Sequence, residues 1–385
     1  MKIGILKEIA PEENRVAAVP ETVAKMVKSG MTILVESGAG QGSSITDQDY
    51  QQAGATIVGN AESLIRDADV IFKVQRPTAK ELHSLKDNSV LIAPLYPLQN
   101  PELITELNAK KMTAFSLDML PRIARAQSMD ILSSMSNIAG YKSIIMAANH
   151  IGKMFPMMTT AAGTIPPAKV IVIGAGVAGL QAIATARRLG GVVMAFDTRP
   201  AAGEQVKSLG ADFVSLETSH EQAQDTGGYA KEQSAEFYKH EQDIIAKYIK
   251  EADVVVTTAL IPGKRAPLLI TEQMVASMRH GSVIVDLAVE QKGNCELSEP
   301  GKIIFTHGVT IIGILNVPST VPVHASQLYS KNLFTFLNYI APQLTNGNLD
   351  LTDDIIKGAL ITHHGEIIHP MVKQVVQQKG TLHAS

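Results

Sequence analysis

An α/β fold in two domains, with mostly parallel sheets and long connecting helices around a cleft, is predicted by three observations. The chain has 385 residues, which favours two domains. Its N-terminal third alternates short apolar runs with helical segments, a pattern that buries a parallel sheet between helical layers. A second alternation opens at Lys169 with a strand, a glycine triplet and a helix. Apolar residues make up 45% and charged residues 18%, enough for two large cores.

In the first domain, Lys2–Leu6, Thr32–Glu36, Val70–Val74, Val90–Leu95 and Met112–Leu117 read as strands. Pro20–Ser29 reads as a helix stopped by Gly30, and Asp47–Ala53 as one stopped by Gly54. This domain is expected over residues 1–126. From Gln127 to His150 the periodicity turns helical, with Ile131, Ile138, Ile144 and Ile145 inward, and predicts a connecting helix. Phe155–Pro167, rich in Met, Thr and Pro, is expected to lead into a second domain over 151–324. Met157 and Met158 there are open to flexible packing or to an interface.

The second domain begins with the buried strand Lys169-Val-Ile-Val-Ile173, and Gly174, Gly176 and Gly179 then satisfy G-x-G-x-x-G. Gly174 permits a tight turn, Gly176 lets backbone approach a pyrophosphate, and Gly179 lets helix and strand pack closely. The helix Leu180–Leu189 offers its N-terminus to the phosphates. The strand Val192–Phe196 ends at Asp197, 18 residues after Gly179, where an acid accepts from ribose hydroxyls and repels a 2′-phosphate. Strand, triplet, helix, strand and acid in register predict a Rossmann-like dinucleotide site that prefers NAD. Arg199 is open to three readings: a 2′-phosphate contact, a stack on adenine, or a surface charge.

The sheet continues through Asp212–Leu216, Asp253–Ala259, Ser282–Leu287 and Thr310–Gly313. Asp225–Lys231, with two glycines before Tyr229, suits either a flap over a ligand or an ordinary long loop. Ser326–Leu344 reads as a helix, and the tail from about 325 to Ser385 is expected to return to the first domain, since so short a remnant hardly holds a core of its own.

A net charge of −3 argues against nucleic acid and anionic membrane surfaces as partners. Cys295 is the only cysteine, so no intrachain disulfide forms, and without a catalytic setting it reads as inert. The opening MKIGILKEIAPEENR lacks an apolar signal core, and Met1 fits a natural start. The uncharged run Val170–Ala186 contains three glycines and reads as strand, turn and helix rather than a membrane span. His363-His364 is the sole adjacent histidine pair, and no spacing suggests a metal site.

Outside the glycine motif, Pro121-Arg-Ile-Ala-Arg-Ala-Gln-Ser-Met-Asp130 gathers Arg122, Gln127 and Asp130 within nine residues, and Ser133-Ser-Met-Ser-Asn137 follows. A loop so dense in hydrogen-bonding groups is a candidate for ligand contact. A salt-bridged loop that only shapes the chain is the alternative.

The runs KEIAPEENRVAAVPE, VQRP, MLPRIARAQSMDILSSMSNIAGY, TAAGTIPPAKVIVIGAGVAGLQAIATARRLG, TGGYAKE, TTALIPGK and DLAVEQKGNCELSEPGK carry a family resemblance. Over essentially its whole length the chain resembles the NAD(H)-binding component of proton-translocating NAD(P) transhydrogenases, in the alanine dehydrogenase/transhydrogenase superfamily. The resemblance implies that Gln127 holds the dihydronicotinamide in place and that Arg122 and Asp130 order its loop through a charge-assisted pair. It implies an NAD site of Gln127, Ser128, Met129, Asp130 and Ser133 with Gly174, Gly176, Val177, Gly179, Asp197, Thr198, Arg199, Gly228 and Tyr229. It further implies direct hydride transfer between NADH here and NADP⁺ on a partner subunit, coupled to proton flow by membrane subunits. The chain would then be a homodimer on the cytoplasmic face of the bacterial inner membrane.

Alanine dehydrogenases are the rival within the superfamily, and Arg15 and Lys73 match the residues that hold their keto-acid. That family has a histidine in the segment matching Leu91–Pro97, where this chain has none, and an aspartate where Glu290 stands. Carbonyl reduction needs a proton donor, so the missing histidine counts against amino-acid chemistry. Arg15 and Lys73 then read as scaffold charges satisfied by local carboxylates. A non-catalytic NAD-sensing module is a third class, and the intact loop around Gln127 counts against it.

Overall fold

The computed structural model describes residues 1–215, 234–261 and 264–382. It divides into two compact units, Met1–Met135 with Ser319–Ser385, and Ser136–Pro318.

In the first unit, β1 (Lys2–Ile5), β2 (Thr32–Glu36), β3 (Thr56–Val58), β4 (Val70–Phe72), β5 (Val90–Ala93) and β6 (Thr113–Ser116) alternate with α1 (Pro20–Lys28), α2 (Asp47–Gln52), α3 (Ala61–Asp67), α4 (Ala79–Ser84) and α5 (Pro101–Ala109). All pairings among these six strands are parallel. The helix ends follow local chemistry. Pro20 opens α1, Glu21 reaches Lys25 at 2.7 Å one turn on, and Gly30 at φ +82° ends the turn that follows. Thr46 with Asp49 and Thr78 with Glu81 form reciprocal capping boxes at α2 and α4.

A 3-10 turn over Ala124–Met129 leads into α6 (Ile131–His150). The helical pattern suggested a start at Gln127, but Asp130 sets the start four residues later. Its two carboxylate oxygens accept from the Ser133 backbone N–H (2.9 Å) and hydroxyl (2.6 Å), which caps the first turn. Ile131 and Ile144 are buried, whereas Ile138 and Ile145 are half-buried. The boundary between units falls within α6, after Met135.

In the second unit, β7 (Met158–Thr160) and β8 (Gly163–Ile165) form an antiparallel hairpin, exposed along its length, where the sequence suggested only a lead-in. Next come β9 (Lys169–Ile173), α7 (Val177–Arg188), β10 (Val192–Asp197), α8 (Ala202–Ser208), β11 (Asp212–Ser215), α9 (Ala235–Ile249), β12 (Val254–Thr257), α10 (Glu272–Ala276), β13 (Val283–Asp286), β14 (Lys302–Thr306) and β15 (Val309–Gly313). The sheet order is β11-β10-β9-β12-β13-β15-β14, parallel except for β14. Its central strands are Val/Ile runs buried on both faces, as a sheet covered by helices requires. His307 and Gly308, both at positive φ, make the two-residue turn that sends β14 back along β15.

The chain then returns to the first unit through α11 (Pro322–Asn346), α12 (Asp354–Ala359), β16 (Leu360–His363), β17 (Glu366–Ile367) and α13 (Pro370–Leu382). β16 pairs antiparallel with β6, giving the order β17-β16-β6-β5-β4-β1-β2-β3. Tyr329, Leu333, Phe336, Leu337 and Ile340 of α11 are buried in the same core as Phe72 and Phe115, and the Phe115 and Phe336 rings meet edge to face with centroids 5.4 Å apart. Two mostly parallel sheets within an α/β chain are what the sequence predicted. Among the described residues, no helix is long and apolar enough to cross a membrane.

Candidate nucleotide site

In the second unit, β9 and β12 are neighbours while the strands beyond them extend in opposite directions. In an open α/β sheet, ligands bind beyond the strand C-termini at such a reversal. The glycine loop leaves β9 there, and each glycine has a distinct local requirement. Gly174 sits at φ +96°, and a Cβ on it would lie 2.6 Å from the Thr258 hydroxyl. A Cβ on Gly179 would lie 1.8 Å from the Gly174 carbonyl oxygen, so no side chain fits between loop and helix. Gly176 is the opposite case: a Cβ there would meet only the end of Arg199, at 4.0 Å. The open space lies before the N-terminus of α7, where no side chain caps the first turn and Val177 is exposed. Free N–H groups at the positive end of a twelve-residue helix suit a pyrophosphate.

Asp197 ends β10 and is 7% exposed. One oxygen accepts from the Ala175 backbone N–H at 2.7 Å, which ties the acid to the glycine loop. Arg199 grips the same carboxylate in bidentate fashion, Nε to Oδ1 at 2.8 Å and an Nη to Oδ2 at 2.9 Å. That contact holds the guanidinium firmly protonated. Of the three readings open for Arg199, the structure supports none in its simple form, because its fork is committed to Asp197. Thr198, between them, is half-buried. Thr258, which the sequence reading did not single out, donates to the Gly174 carbonyl at 2.9 Å and braces the turn from β12. Its signal was its place just after a Val-rich strand beside the reversal. Gly228 and Tyr229 lie outside the described residues.

In the first unit, the loop before α6 is pinned from beneath. Ala126 and Met129 are buried in the core, and Asn332 of α11 donates to the Ser128 carbonyl at 2.9 Å. Arg125 binds Asp353 at 3.2 Å and the Tyr339 hydroxyl at 3.1 Å. These anchors leave Arg122, Gln127 and Ser128 exposed. The side chain of Met129, grouped with the ligand contacts at the outset, is instead an anchor at 4% exposure. Ser133 and Asp130 engage each other at the start of α6, so the Asp130 carboxylate serves the helix cap.

Arg15 and Lys73 are buried and answered by carboxylates, as the sequence reading expected. Glu13 receives the Arg15 Nε and Nη at 2.8 and 2.6 Å, and Gln75 Nε2 at 2.7 Å. Burial alone would raise the Glu13 pKa, but its Arg15 and Gln75 partners outweigh burial and hold it down at about 2. The Lys73 ammonium lies 2.6 Å from Glu81 and 3.1 Å from Glu8, and the two carboxylates keep it charged against its burial. A keto-acid would have to displace these internal partners. Glu290, where the dehydrogenases have aspartate, accepts from the Asn316 backbone N–H at 2.7 Å.

Comparison with known proteins agrees with this geometry. The model of the alanine dehydrogenase/PNT N-terminal domain matches residues 4–139, and that of the C-terminal domain matches 143–370. The chain belongs to the alanine dehydrogenase/PNT family. Within it, the chain is 50% identical to the first of the separately encoded portions of the NAD(P) transhydrogenase alpha subunit of Rhodospirillum rubrum, over 96% of this chain and 98% of that one. Identity to alanine dehydrogenase of Methanococcus maripaludis is 33%, over 83% of this chain and 82% of that one. Among solved structures, transhydrogenase from Sinorhizobium meliloti superposes with a TM-score of 0.84 at 45% identity, covering 96% of this chain and 99% of that one. An L-alanine dehydrogenase reaches a TM-score of 0.83 at 29% identity, covering 98% and 99%. Both branches share the fold, and the identities set this family member with the transhydrogenase alpha subunits.

Proposed function

We propose that this chain is the NAD(H)-binding subunit of a proton-translocating transhydrogenase. The observation that carries the reading is the uncapped start of α7 behind Gly176, flanked by Asp197, in a chain half identical to a transhydrogenase alpha-subunit polypeptide. Gly174, Gly176, Val177 and Gly179 form the pyrophosphate cradle, and Asp197, Thr198 and Arg199 receive the adenosine ribose. Gln127, with Arg122 and Ser128, is presented to the nicotinamide end, and Asp130 and Ser133 fix the start of α6 behind it. Bound NADH supplies the hydride, which passes to NADP⁺ on a partner subunit. The residues of this chain bind and orient; none needs to take or give a proton at that step, so the contribution is positional. Proton movement belongs to membrane-embedded partner subunits, which places this chain at the cytoplasmic face of the inner membrane of a bacterium.

A second copy of the chain completes the reading. The β7–β8 hairpin exposes Met157, Met158 and Ile165, and an isolated two-stranded hairpin is marginal in water. A homodimer in which the hairpin is covered accounts for its apolar residues.

The test is a reconstitution. The purified chain is mixed with a separately expressed NADP-binding transhydrogenase subunit, NADPH and NADH, and reduction of an acetylpyridine analogue of NAD⁺ is followed optically. Fast reduction that requires both proteins supports the proposal. No reduction despite NADH binding would overturn it and send attention to pyruvate with ammonium, or to a sensing role.

A further inference from the structure

Glu241 is the buried carboxyl group that the glycine motif does not explain. It lies on α9, is 3% exposed, and no described residue donates a hydrogen bond to it. The helix is held against the strand that carries Asp197. The Tyr248 ring meets the Phe196 ring edge to face with centroids 5.5 Å apart, and Ile245 and Ile249 share a core with Phe196. The crossover from β11 to β12 runs α9 antiparallel to the strands, so its N-terminal half lies toward the strand C-termini, where Asp197 sits. Glu241 precedes Tyr248 by two helical turns, about 10 Å, in that direction. Burial, and then the field of Asp197, push its pKa up to about 8. Among the described residues, Asp197 is the charged group that acts on it, and Asp197 is itself matched by Arg199.

We propose that Glu241 is the second carboxyl group of the adenosine end of this site and governs how strongly it rejects a 2′-phosphate. The inference rests on the nucleotide reading above and adds to it. Asp197 and Arg199 together carry no net charge, so on their own they repel a phosphate weakly, and Arg199 offers it a fork. With Glu241 protonated the group of three is neutral, which leaves rejection to shape. With Glu241 ionised the group carries one negative charge in a partly desolvated place, and a 2′-phosphate meets repulsion that a 2′-hydroxyl does not.

The experiment is a titration of the full chain with NADH and NADPH, followed by nucleotide fluorescence, between about pH 7 and 9.5, a range chosen to bracket the raised carboxyl. The ratio of NADPH to NADH dissociation constants is expected to rise on the order of tenfold through this range in the wild type. Glu241→Gln should hold it flat. Glu241→Leu, a second variant in case the amide impairs folding, should do the same. A flat wild-type ratio, or an equal rise in the variants, would overturn the role of Glu241 while leaving the nucleotide site intact. Absence of NADH binding by the wild type would overturn the nucleotide reading itself, and this inference with it.

Discussion

Gln127 and Asp197 illustrate two ways in which a residue serves a ligand. Gln127 is exposed on a loop whose neighbours Ala126 and Met129 are buried, so its backbone is fixed while its amide is free to reach outward. Shortening that reach by one methylene should spoil orientation more than affinity. Gln127→Asn is therefore expected to slow hydride transfer at least tenfold while NADH affinity changes by less than about threefold. Intact transfer with poor binding would contradict the role. Asp197 serves by charge as well as by hydrogen bonds. Asp197→Ala removes the acceptor for the Ala175 N–H and frees the Arg199 fork. NADH should bind on the order of tenfold more weakly and NADPH should lose less, measured by paired fluorescence titrations. Unchanged relative affinities would count against the ribose contact.

At the scale of elements, the start of α6 isolates what capping contributes. Asp130→Ala removes the acceptor for Ser133 and should cost about 1 kcal/mol in urea unfolding, whereas Asp130→Asn should recover most of it. Equal losses in both would mean that the charge, and not the cap, matters there. The same element shows how far sequence reading reaches. Strands with unbroken apolar runs, such as Val170–Ile173 and Val254–Thr257, were legible because both faces are buried. The glycine triplet with Asp197 was legible because its requirements are local. The helix start was misread because Asp130 is ambiguous in sequence, a loop carboxylate and a cap being written alike until Ser133 is seen to use it. β14 was overlooked because Ile303 and Phe305 alternate at an exposed edge, although His307-Gly308 marks its turn. The brace from Thr258 and the placement of Glu241 depend on strand order and on the crossover helix, which no local pattern encodes.

For the molecule as a whole, two buried acids shape stability against pH from opposite sides. Glu13 has a folded pKa of about 2, below its ordinary value of 4.5, so its contribution is present above that ordinary value and is lost as pH falls toward 2. Glu241 is shifted the other way, from 4.5 to about 8. Its folded form holds the proton more tightly than the unfolded chain does, so stability falls as pH rises between those values and levels off above. Thermal melts of the wild type are expected to lose part of their midpoint between about pH 5 and 8, and Glu241→Gln should flatten that slope. An identical slope in the variant would place the loss elsewhere.

The 1.8 Å gap between a Cβ on Gly179 and the Gly174 carbonyl has a consequence for heredity. Every codon one base away from a glycine codon, if it still encodes an amino acid other than glycine, encodes one that carries a Cβ. No single missense step at Gly179 therefore avoids the carbonyl, and even alanine forces the turn and α7 apart. Lineages that keep the nucleotide site can vary this codon only silently, whereas at Gly176, with open space around it, a first step toward alanine is sterically free and is opposed only by the ligand.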